Sequence, residues 1–114
     1  MSHTIQYSPE FQRDLDDIWD YIVLEFANPD AADRIADGIL DAVRILADFP
    51  YSGRKVLLPG GMDSGYRFVV FEAYVIVYRI HGNHVQVARV VHSALDYMRS
   101  LFPWLRKSKD TDDV

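Results

Sequence analysis

The hydrophobic pattern of this chain changes its period once, near Pro50. Before this proline, apolar side chains recur every three or four residues, as in a helix with one buried face. After it, turn residues separate short runs of Val, Ile, Tyr and Phe, which are typical of strands. The change of period predicts an α+β fold: an N-terminal strand, an antiparallel helical hairpin, and then an antiparallel β-meander followed by a short C-terminal helix.

Two pairs of capping signals mark where the helices begin. Ser8 and Asn28 are typical N-cap residues, and each precedes a proline, which fits the first helical position because its missing N–H is not needed there. The apolar stripes that follow are Phe11, Leu15, Ile18, Ile22 and Phe26 in the first helix, and Ala32, Ile35, Ala36, Ile39, Val43 and Leu46 in the second. The short connection between the stripes predicts the hairpin. Gly38 interrupts the second helix, and we expect a close approach of the two helix backbones to compensate for it.

Four segments are predicted as strands. They cover residues 4–8, 67–71, 74–80 and 85–92, and residues 94–102 resemble a short amphipathic helix. Gly82 and Asn83 are expected to form a two-residue hairpin turn, and Glu72 with Ala73 is expected to close the preceding hairpin. Residues 59–65 are rich in turn formers and are predicted as loop.

The two turns determine which residues face each other across the meander. The predicted pairs are Arg79 with Gln86, Tyr78 with Val87, Ile76 with Arg89, Arg67 with Tyr78, and His92 with Ala73. In this register, Arg79 and His92 are separated by about 20 Å, at about 3.3 Å per residue. That distance is too long for both side chains to act on one phosphate.

Side-chain alternation divides the meander into two faces. The predicted core face carries Phe68, Val70, Val75, Val77, Ala88 and Val90, with Arg79 and His92 at its margins. The other face carries Arg67, Val69, Phe71, Tyr74, Ile76, Tyr78, Val87, Arg89 and Val91. Because this second face is also apolar, we expect the C-terminal helix, a partner protein or a second copy of the chain to cover it.

The composition limits the class of protein. The 114 residues, of which 49% are hydrophobic, predict one domain over residues 1–104 and a charged tail over residues 105–114. The chain has no cysteine, which excludes disulfides and zinc–thiolate sites, and His81 and His84 lack a third ligand for a metal. No apolar run approaches the roughly 20 residues of a membrane span. These features predict a soluble, cytoplasmic protein without metal or cofactor.

The charges are distributed unevenly along the chain. Residues 1–50 contain 3 basic and 11 acidic side chains, whereas residues 51–107 contain 8 basic and 3 acidic ones. Such polarity can orient a protein on its partner. The overall net charge of -5 makes the chain a poor general binder of nucleic acid, because phosphate contacts need cations.

Several short motifs, taken together, resemble the RelE/ParE superfamily of toxins from bacterial type II toxin-antitoxin pairs, which stabilise plasmids. The matching residues are the strand around Ile5 and Tyr7, Leu15-x-x-Ile18-x-x-Tyr21-Ile22, Leu46-x-x-x-Pro50-x-x-Gly53-Arg54, Arg67, Tyr74-x-Ile76-x-Tyr78-Arg79 and Val90-x-His92. The resemblance covers nearly the whole chain. It implies an antiparallel sheet backed by a helical hairpin, and neutralisation by a cognate antitoxin whose extended segment wraps the toxin.

The resemblance leaves the target of the toxin open. A RelE-like protein would cleave mRNA on the ribosome, with Arg67 and Arg79 neutralising phosphate charge and His92 transferring a proton. A ParE-like protein would instead bind DNA gyrase and need no catalytic residues. The acidic net charge and the presence of only three lysines favour the ParE-like alternative. A third alternative is a non-toxic relative that has kept only antitoxin binding.

The candidate contact residues for the target or the antitoxin are Arg54, Arg67, Tyr74, Tyr78, Arg89, His92 and Asp96. Two of them have simpler interpretations, since Arg54 could form an ion pair with the acidic helices and His92 could be a satisfied histidine at a strand end. In the ParE-like pattern that this chain resembles, the terminal histidine is usually followed by basic residues and an aspartate, whereas here the uncharged residues 93–95 precede Asp96. This departure predicts either a different target or weaker toxicity.

Overall fold

Within residues 2–92, which the computed structural model describes, two helices pack on a five-stranded sheet. The elements are β1 (Thr4–Tyr7), α1 (Pro9–Phe26), α2 (Pro29–Ile45), β2 (Arg54–Leu57), β3 (Asp63–Phe71), β4 (Tyr74–His81) and β5 (His84–Val91). The strand order is β1-β5-β4-β3-β2. The sheet is mixed, because β1 runs parallel to β5 while the other pairs are antiparallel. The predicted α+β architecture of strand, helical hairpin and meander is confirmed, and the predicted helix over residues 94–102 lies outside the described residues.

Both helices begin at the predicted caps. The Ser8 hydroxyl accepts a hydrogen bond from the Phe11 backbone N–H at 2.9 Å, and the Asn28 side chain accepts one from the Ala31 N–H at 3.1 Å. In each case the following proline occupies the first turn. Helix α1 ends at Ala27, whose φ of 50° places it in the left-handed region. Only one further residue separates Ala27 from α2, so the two helices form a tight hairpin.

The main core lies between this hairpin and one face of the sheet. Its buried residues are Phe11, Ile22, Ala32, Ile35, Ile39, Val43, Leu46, Tyr74, Ile76, Tyr78, Val85, Val87 and Val90. The predicted core face was therefore wrong, because the helices cover the face that carries Tyr74, Ile76 and Tyr78. Val75, Val77 and Val91 belong to a smaller cluster with Phe68 on the opposite face. Both faces of the meander are apolar, so alternation alone cannot tell which of them the helices cover.

A β-bulge in β5 changes the register of the last hairpin. The predicted pairs Arg79 with Gln86 and Tyr78 with Val87 are confirmed, but beyond them Val77 faces Arg89 and Ile76 faces Val90. The prediction that Ile76 faces Arg89 was wrong, because Ala88 is an extra residue in β5. The Ser8 hydroxyl donates a hydrogen bond to the Ala88 carbonyl at 2.7 Å, and the Ser8 N–H donates one to the Val87 carbonyl. The bulge thus lies where β1 ends and α1 begins.

The strand that forms the edge of the sheet next to β3 was not predicted from the sequence. Strand β2 covers Arg54–Leu57, and β3 begins at Asp63 although residues 63–65 were predicted as loop. Within β2 only Val56 is buried, so the strand lacks the apolar alternation that marks a half-buried strand. The predicted pairing of Arg67 with Tyr78 across β3 and β4 is confirmed.

The need for glycine at position 38 comes from a contact with the sheet rather than from a contact between the two helices. A Cβ atom at this position would overlap the ring of Phe71, which packs against α2 from β3. The predicted close approach of the two helix backbones was therefore not the compensation for this glycine. No helix within residues 2–92 is long and apolar enough to cross a membrane.

Candidate functional site

Arg67 holds a turn of the protein's own backbone. Its Nη1 atom donates a hydrogen bond to the Gly53 carbonyl at 2.8 Å, and it lies 3.4 Å from the Tyr51 carbonyl oxygen. The guanidinium also lies over the Tyr51 ring, 5.1 Å from its centroid. Arg67 was predicted as a phosphate contact in the nuclease alternative. In the structure, its guanidinium instead binds backbone carbonyls of the segment that leads into β2.

Arg79 lies on the face of the sheet away from the helices. Its Nε donates a hydrogen bond to Gln86 at 2.8 Å, and Gln86 in turn donates one to Gln6 at 3.1 Å. The Arg79 guanidinium lies 5.9 Å from the centroid of the Tyr66 ring. These side chains line an open concavity of about 320 Å³. Arg79 thus belongs to a polar ladder across β4, β5 and β1, in which its side chain remains exposed.

His92 lies at the other end of the sheet and on the other face. Its ring contacts the Tyr74 ring edge-on, with centroids 5.3 Å apart and an interplanar angle of 79°. The predicted pairing of His92 with Ala73 was therefore wrong by one residue, because beyond the bulge Val75 faces Val91. The predicted placement of His92 on the same face as Arg79 was also wrong. Because of the bulge at Ala88, His92 lies on the helix side with Tyr74, not with Arg79. Tyr74 and Arg79 are five residues apart on β4, about 16 Å at about 3.3 Å per residue.

Tyr78 is fully buried and serves the fold. Its hydroxyl donates a hydrogen bond to the Pro50 carbonyl at 2.7 Å and accepts one from the Gly53 N–H at 3.0 Å. Burial raises the pKa of the Tyr78 phenol, while the Gly53 hydrogen bond and the charge of Arg67 act in the opposite direction. Tyr78 was predicted as a contact residue, but its side chain does not reach the surface that a partner would meet.

Arg89 forms the ion pair that joins α1 to β5. Its Nε and Nη2 atoms donate to the two carboxylate oxygens of Asp14 at 2.6 and 2.9 Å. The Val90 N–H donates a third hydrogen bond to the same carboxylate at 3.1 Å. The hydrogen bond to Asp14 raises the pKa of Arg89. Arg89 was predicted as a contact residue, yet it is engaged within the fold, and no sequence signal distinguished Asp14 from the other acidic residues of α1.

Arg54 lies on the edge strand β2 and is exposed. Among residues 2–92 it forms no ion pair, so the predicted pairing with the acidic helices is not observed. Arg54 borders a concavity of about 300 Å³ that Ser52, Gly53 and Val70 also line. Asp96, the last predicted contact residue, lies outside the described part of the chain.

A second cleft, of about 380 Å³, lies between α1 and the end of the sheet. The described residues that line it are Asp17, Ile18 and Tyr21 from α1, Tyr74 from β4, and His92. Tyr74 and His92 were both predicted as contact residues, and the structure brings them together here. The three residues of α1 were not predicted as site residues. The helical pattern placed Ile18 in the core, Tyr21 was noted only as part of a family motif, and nothing in the sequence distinguished Asp17 from the other acidic residues of α1.

Comparison with known proteins agrees with the resemblance noted in the sequence. The family model described as "ParE toxin of type II toxin-antitoxin system, parDE" matches residues 5–97. The Sinorhizobium fredii protein "Putative toxin Y4kP" is 38% identical over 90 residues, which are 78% of this chain and 86% of the relative.

Two solved structures share the fold. A chain of the chromosomal ParDE toxin-antitoxin system from P. aeruginosa superposes with a TM-score of 0.68 at 22% identity, covering 81% of this chain and 97% of the other. A chain of the RelBE2 toxin-antitoxin complex from Mycobacterium tuberculosis gives a TM-score of 0.60 at 20% identity, covering 81% and 99%. Given the family match over residues 5–97 and the 38% identical relative, this chain belongs to the ParE toxin family of type II toxin-antitoxin systems.

Proposed function

We propose that this protein is the toxin of a type II pair, that it slows bacterial growth by binding DNA gyrase in the cytoplasm, and that a cognate antitoxin neutralises it. The observation that carries the proposal is the match to the ParE toxin model over residues 5–97. The two solved structures described above come from toxin-antitoxin assemblies, ParDE and RelBE2, which supports an antitoxin as the direct partner.

The positions of the three nuclease candidates favour binding over RNA cleavage. Arg67 is bonded to backbone carbonyls, Arg79 lies on the face away from the helices, and His92 lies on the helix side at the far end of β4. A nuclease needs its general base and its phosphate-binding cations within hydrogen-bond reach of one phosphodiester. The separation of these side chains supports a toxin that acts through protein contact.

The charge of the hairpin supports the same proposal. Helix α1 carries six acidic side chains and one basic side chain, and α2 carries four and two. A protein that binds ribosomal RNA gains affinity from neutralising phosphates, and an acidic surface opposes that gain. A protein target can instead match an acidic surface with basic groups.

The first test is induction of the protein alone in a bacterial host, with incorporation of labelled thymidine and labelled methionine followed from the first minutes. Gyrase inhibition should lower thymidine incorporation first, because replication depends directly on gyrase. An early fall in methionine incorporation would instead indicate mRNA cleavage and contradict the proposal. No change in either label would indicate a relative that binds its antitoxin without being toxic.

A second test uses purified components. The protein should inhibit supercoiling of relaxed plasmid by purified DNA gyrase, and it should leave translation in a cell-free extract unaffected. The matched control is the same protein mixed with the product of the reading frame adjacent to its gene, which should restore supercoiling. Undiminished supercoiling at saturating toxin would exclude gyrase as the target.

A further inference from the structure

The cleft between α1 and the end of the sheet has walls suited to a cation. Tyr21 and Tyr74 present aromatic rings, Ile18 contributes an aliphatic surface, and Asp17 adds a carboxylate. The face of an aromatic ring attracts a cation, and the attraction is stronger where the cation is partly shielded from water. A carboxylate beside such rings completes the combination that recognises an ammonium or guanidinium group.

The hydroxyl groups of the two tyrosines are not engaged by the part of the chain that the structure describes. Within residues 2–92, neither the Tyr21 nor the Tyr74 hydroxyl takes part in a hydrogen bond. Tyr74 is buried, with 9% of its surface exposed, whereas Tyr21 is 58% exposed. The Tyr21 ring meets the Phe26 ring edge-on, with centroids 6.1 Å apart. A ligand in the cleft can therefore meet the Tyr21 ring and two hydroxyl groups that no residue of the described chain engages.

The charges around the cleft favour a basic ligand. Asp17 forms no ion pair within the described chain, and no lysine or arginine is among the described residues that line the cleft. Arg34 pairs with Glu72 and Arg89 pairs with Asp14. Arg13, one helical turn before Asp17 on α1, is exposed, but it forms no ion pair within residues 2–92 and is not among the described residues that line the cleft. His92 is the one histidine among those residues, and its ring packs edge-on against Tyr74. Asp17 is exposed, so its carboxylate is accessible to a cationic group of a ligand. A cation between this carboxylate and the tyrosine rings is attracted by both.

The volume of the cleft limits the ligand to a small group. At about 380 Å³, the cleft lies near the lower end of the roughly 300–1,000 Å³ found for small-molecule sites. One long side chain fits such a space better than a folded segment does. An arginine side chain can stack its planar guanidinium on a tyrosine ring and donate hydrogen bonds to a carboxylate at the same time.

We propose that this cleft binds an arginine or lysine side chain of the antitoxin, with Asp17 as the charge partner and Tyr21 and Tyr74 as the aromatic walls. The inference rests on the proposed function, since it requires that an antitoxin binds the toxin. It adds the chemistry of the contact: the segment that lies along α1 carries a basic residue at this point. A side chain of the antitoxin bound in this cleft would contact both α1 and the C-terminal end of β5.

The direct test needs no antitoxin. N-acetyl-arginine methylamide is titrated into the isotope-labelled protein, and the NMR signals of the Ile18 methyls and the Tyr21 and Tyr74 rings are followed. The neutral analogue N-acetyl-citrulline methylamide, which has nearly the same shape, is the matched ligand control. We expect saturable shifts with the arginine probe that weaken with added salt, and smaller shifts with citrulline. Equal binding of the two probes, or no shift up to the solubility limit, would overturn the proposal.

Two substitutions locate the site. Asp17→Asn removes the charge without changing the shape, and Tyr21→Leu removes the ring. Each should weaken the arginine probe about fivefold, which corresponds to the loss of one exposed charge pair or one cation–π contact. Asp16→Asn is the matched control, because Asp16 is an exposed carboxylate one residue away that does not line the cleft. An equal effect of Asp16→Asn would indicate general electrostatic attraction and contradict a specific site.

The same variants separate this inference from the proposed function. Binding of the adjacent-frame protein is measured calorimetrically, and Asp17→Asn and Tyr21→Leu should each weaken it about fivefold while Asp16→Asn does not. If the adjacent-frame protein binds all four toxins equally, the cleft assignment fails while the antitoxin assignment stands. If the arginine probe binds as expected but the adjacent-frame protein does not bind at all, the cation site stands and the proposed partner is wrong.

Discussion

Arg67 and Tyr78 lie directly opposite each other across β3 and β4, and both side chains hold the same turn of backbone before β2. Tyr78 bonds to the Pro50 carbonyl and the Gly53 N–H, while Arg67 bonds to the Gly53 carbonyl. A Cβ atom at Gly53 would overlap the Tyr78 hydroxyl and lie 2.8 Å from the Phe68 carbonyl oxygen. Arg67 and Tyr78 were predicted as contact residues, and Gly53 was part of a family motif. In the structure, these three residues together determine the path of the chain into the edge strand β2.

The first prediction concerns the hydroxyl of Tyr78. Tyr78→Phe leaves the Pro50 carbonyl and the Gly53 N–H without their buried partner, so we expect it to lower the free energy of unfolding by about 2 kcal/mol. Urea unfolding followed by circular dichroism measures the change. Tyr51→Phe is the matched control, because Tyr51 is exposed and keeps its ring under Arg67. Equal stability of the wild type and Tyr78→Phe would show that water replaces these hydrogen bonds without cost.

The second prediction is a loss of stability at high pH. Burial raises the pKa of Tyr78, whereas in the unfolded chain a tyrosine ionises near its ordinary value of about 10. The unfolded state therefore loses this proton first, so the contribution of Tyr78 is fully present below pH 10 and decreases as the pH rises toward the raised pKa. The stability difference between wild type and Tyr78→Phe should become smaller above pH 10. A difference that stays constant from neutral to strongly alkaline pH would contradict this linkage.

The third prediction concerns the ion pair between α1 and β5. Asp14 and Arg89 are only 14% and 29% exposed, and the same carboxylate also accepts the Val90 N–H. Asp14→Ala leaves both the guanidinium and this N–H without a partner, and we expect it to lower the free energy of unfolding by about 3 kcal/mol. Arg34→Ala breaks the exposed pair with Glu72 and should leave the urea midpoint unchanged. Similar midpoints for the two variants would mean that burial adds nothing to the Asp14 pair.

The sequence was most informative where local chemistry decides the structure. Ser8 and Asn28 each cap a helix that begins with proline, and the turn at Gly82 and Asn83 sets the first four pairs of the hairpin. N-caps and two-residue turns depend on a few adjacent residues, so a single sequence contains what is needed to recognise them. The α+β architecture follows from these elements together with the change of period near Pro50.

The candidate site was less predictable because it depends on contacts between distant segments. The bulge at Ala88 is associated with a hydrogen bond from Ser8, which is 80 positions away in the chain, and it moves His92 to the helix side beside Tyr74. No local pattern in β5 indicates that contact. The same holds for Asp17 and Tyr21, which become part of a cleft only because α1 packs against β5 and thereby lies beside Tyr74 at the end of the sheet. Tyr74 and His92 were identified, but their neighbours were not.

The last prediction tests the contact between Gly38 and Phe71. In an isolated helix, Gly38→Ala would be favourable by about 1 kcal/mol, because alanine has the higher helix propensity. Here the added methyl group would overlap the Phe71 ring, and we expect the variant to be destabilised by about 1–2 kcal/mol as the ring is displaced. In a Phe71→Leu background the overlap is relieved, so the same Gly38→Ala substitution should become neutral or stabilising. Urea unfolding of the four proteins gives the coupling free energy directly. Additive effects of the two substitutions would show that Phe71 does not determine the need for glycine at position 38.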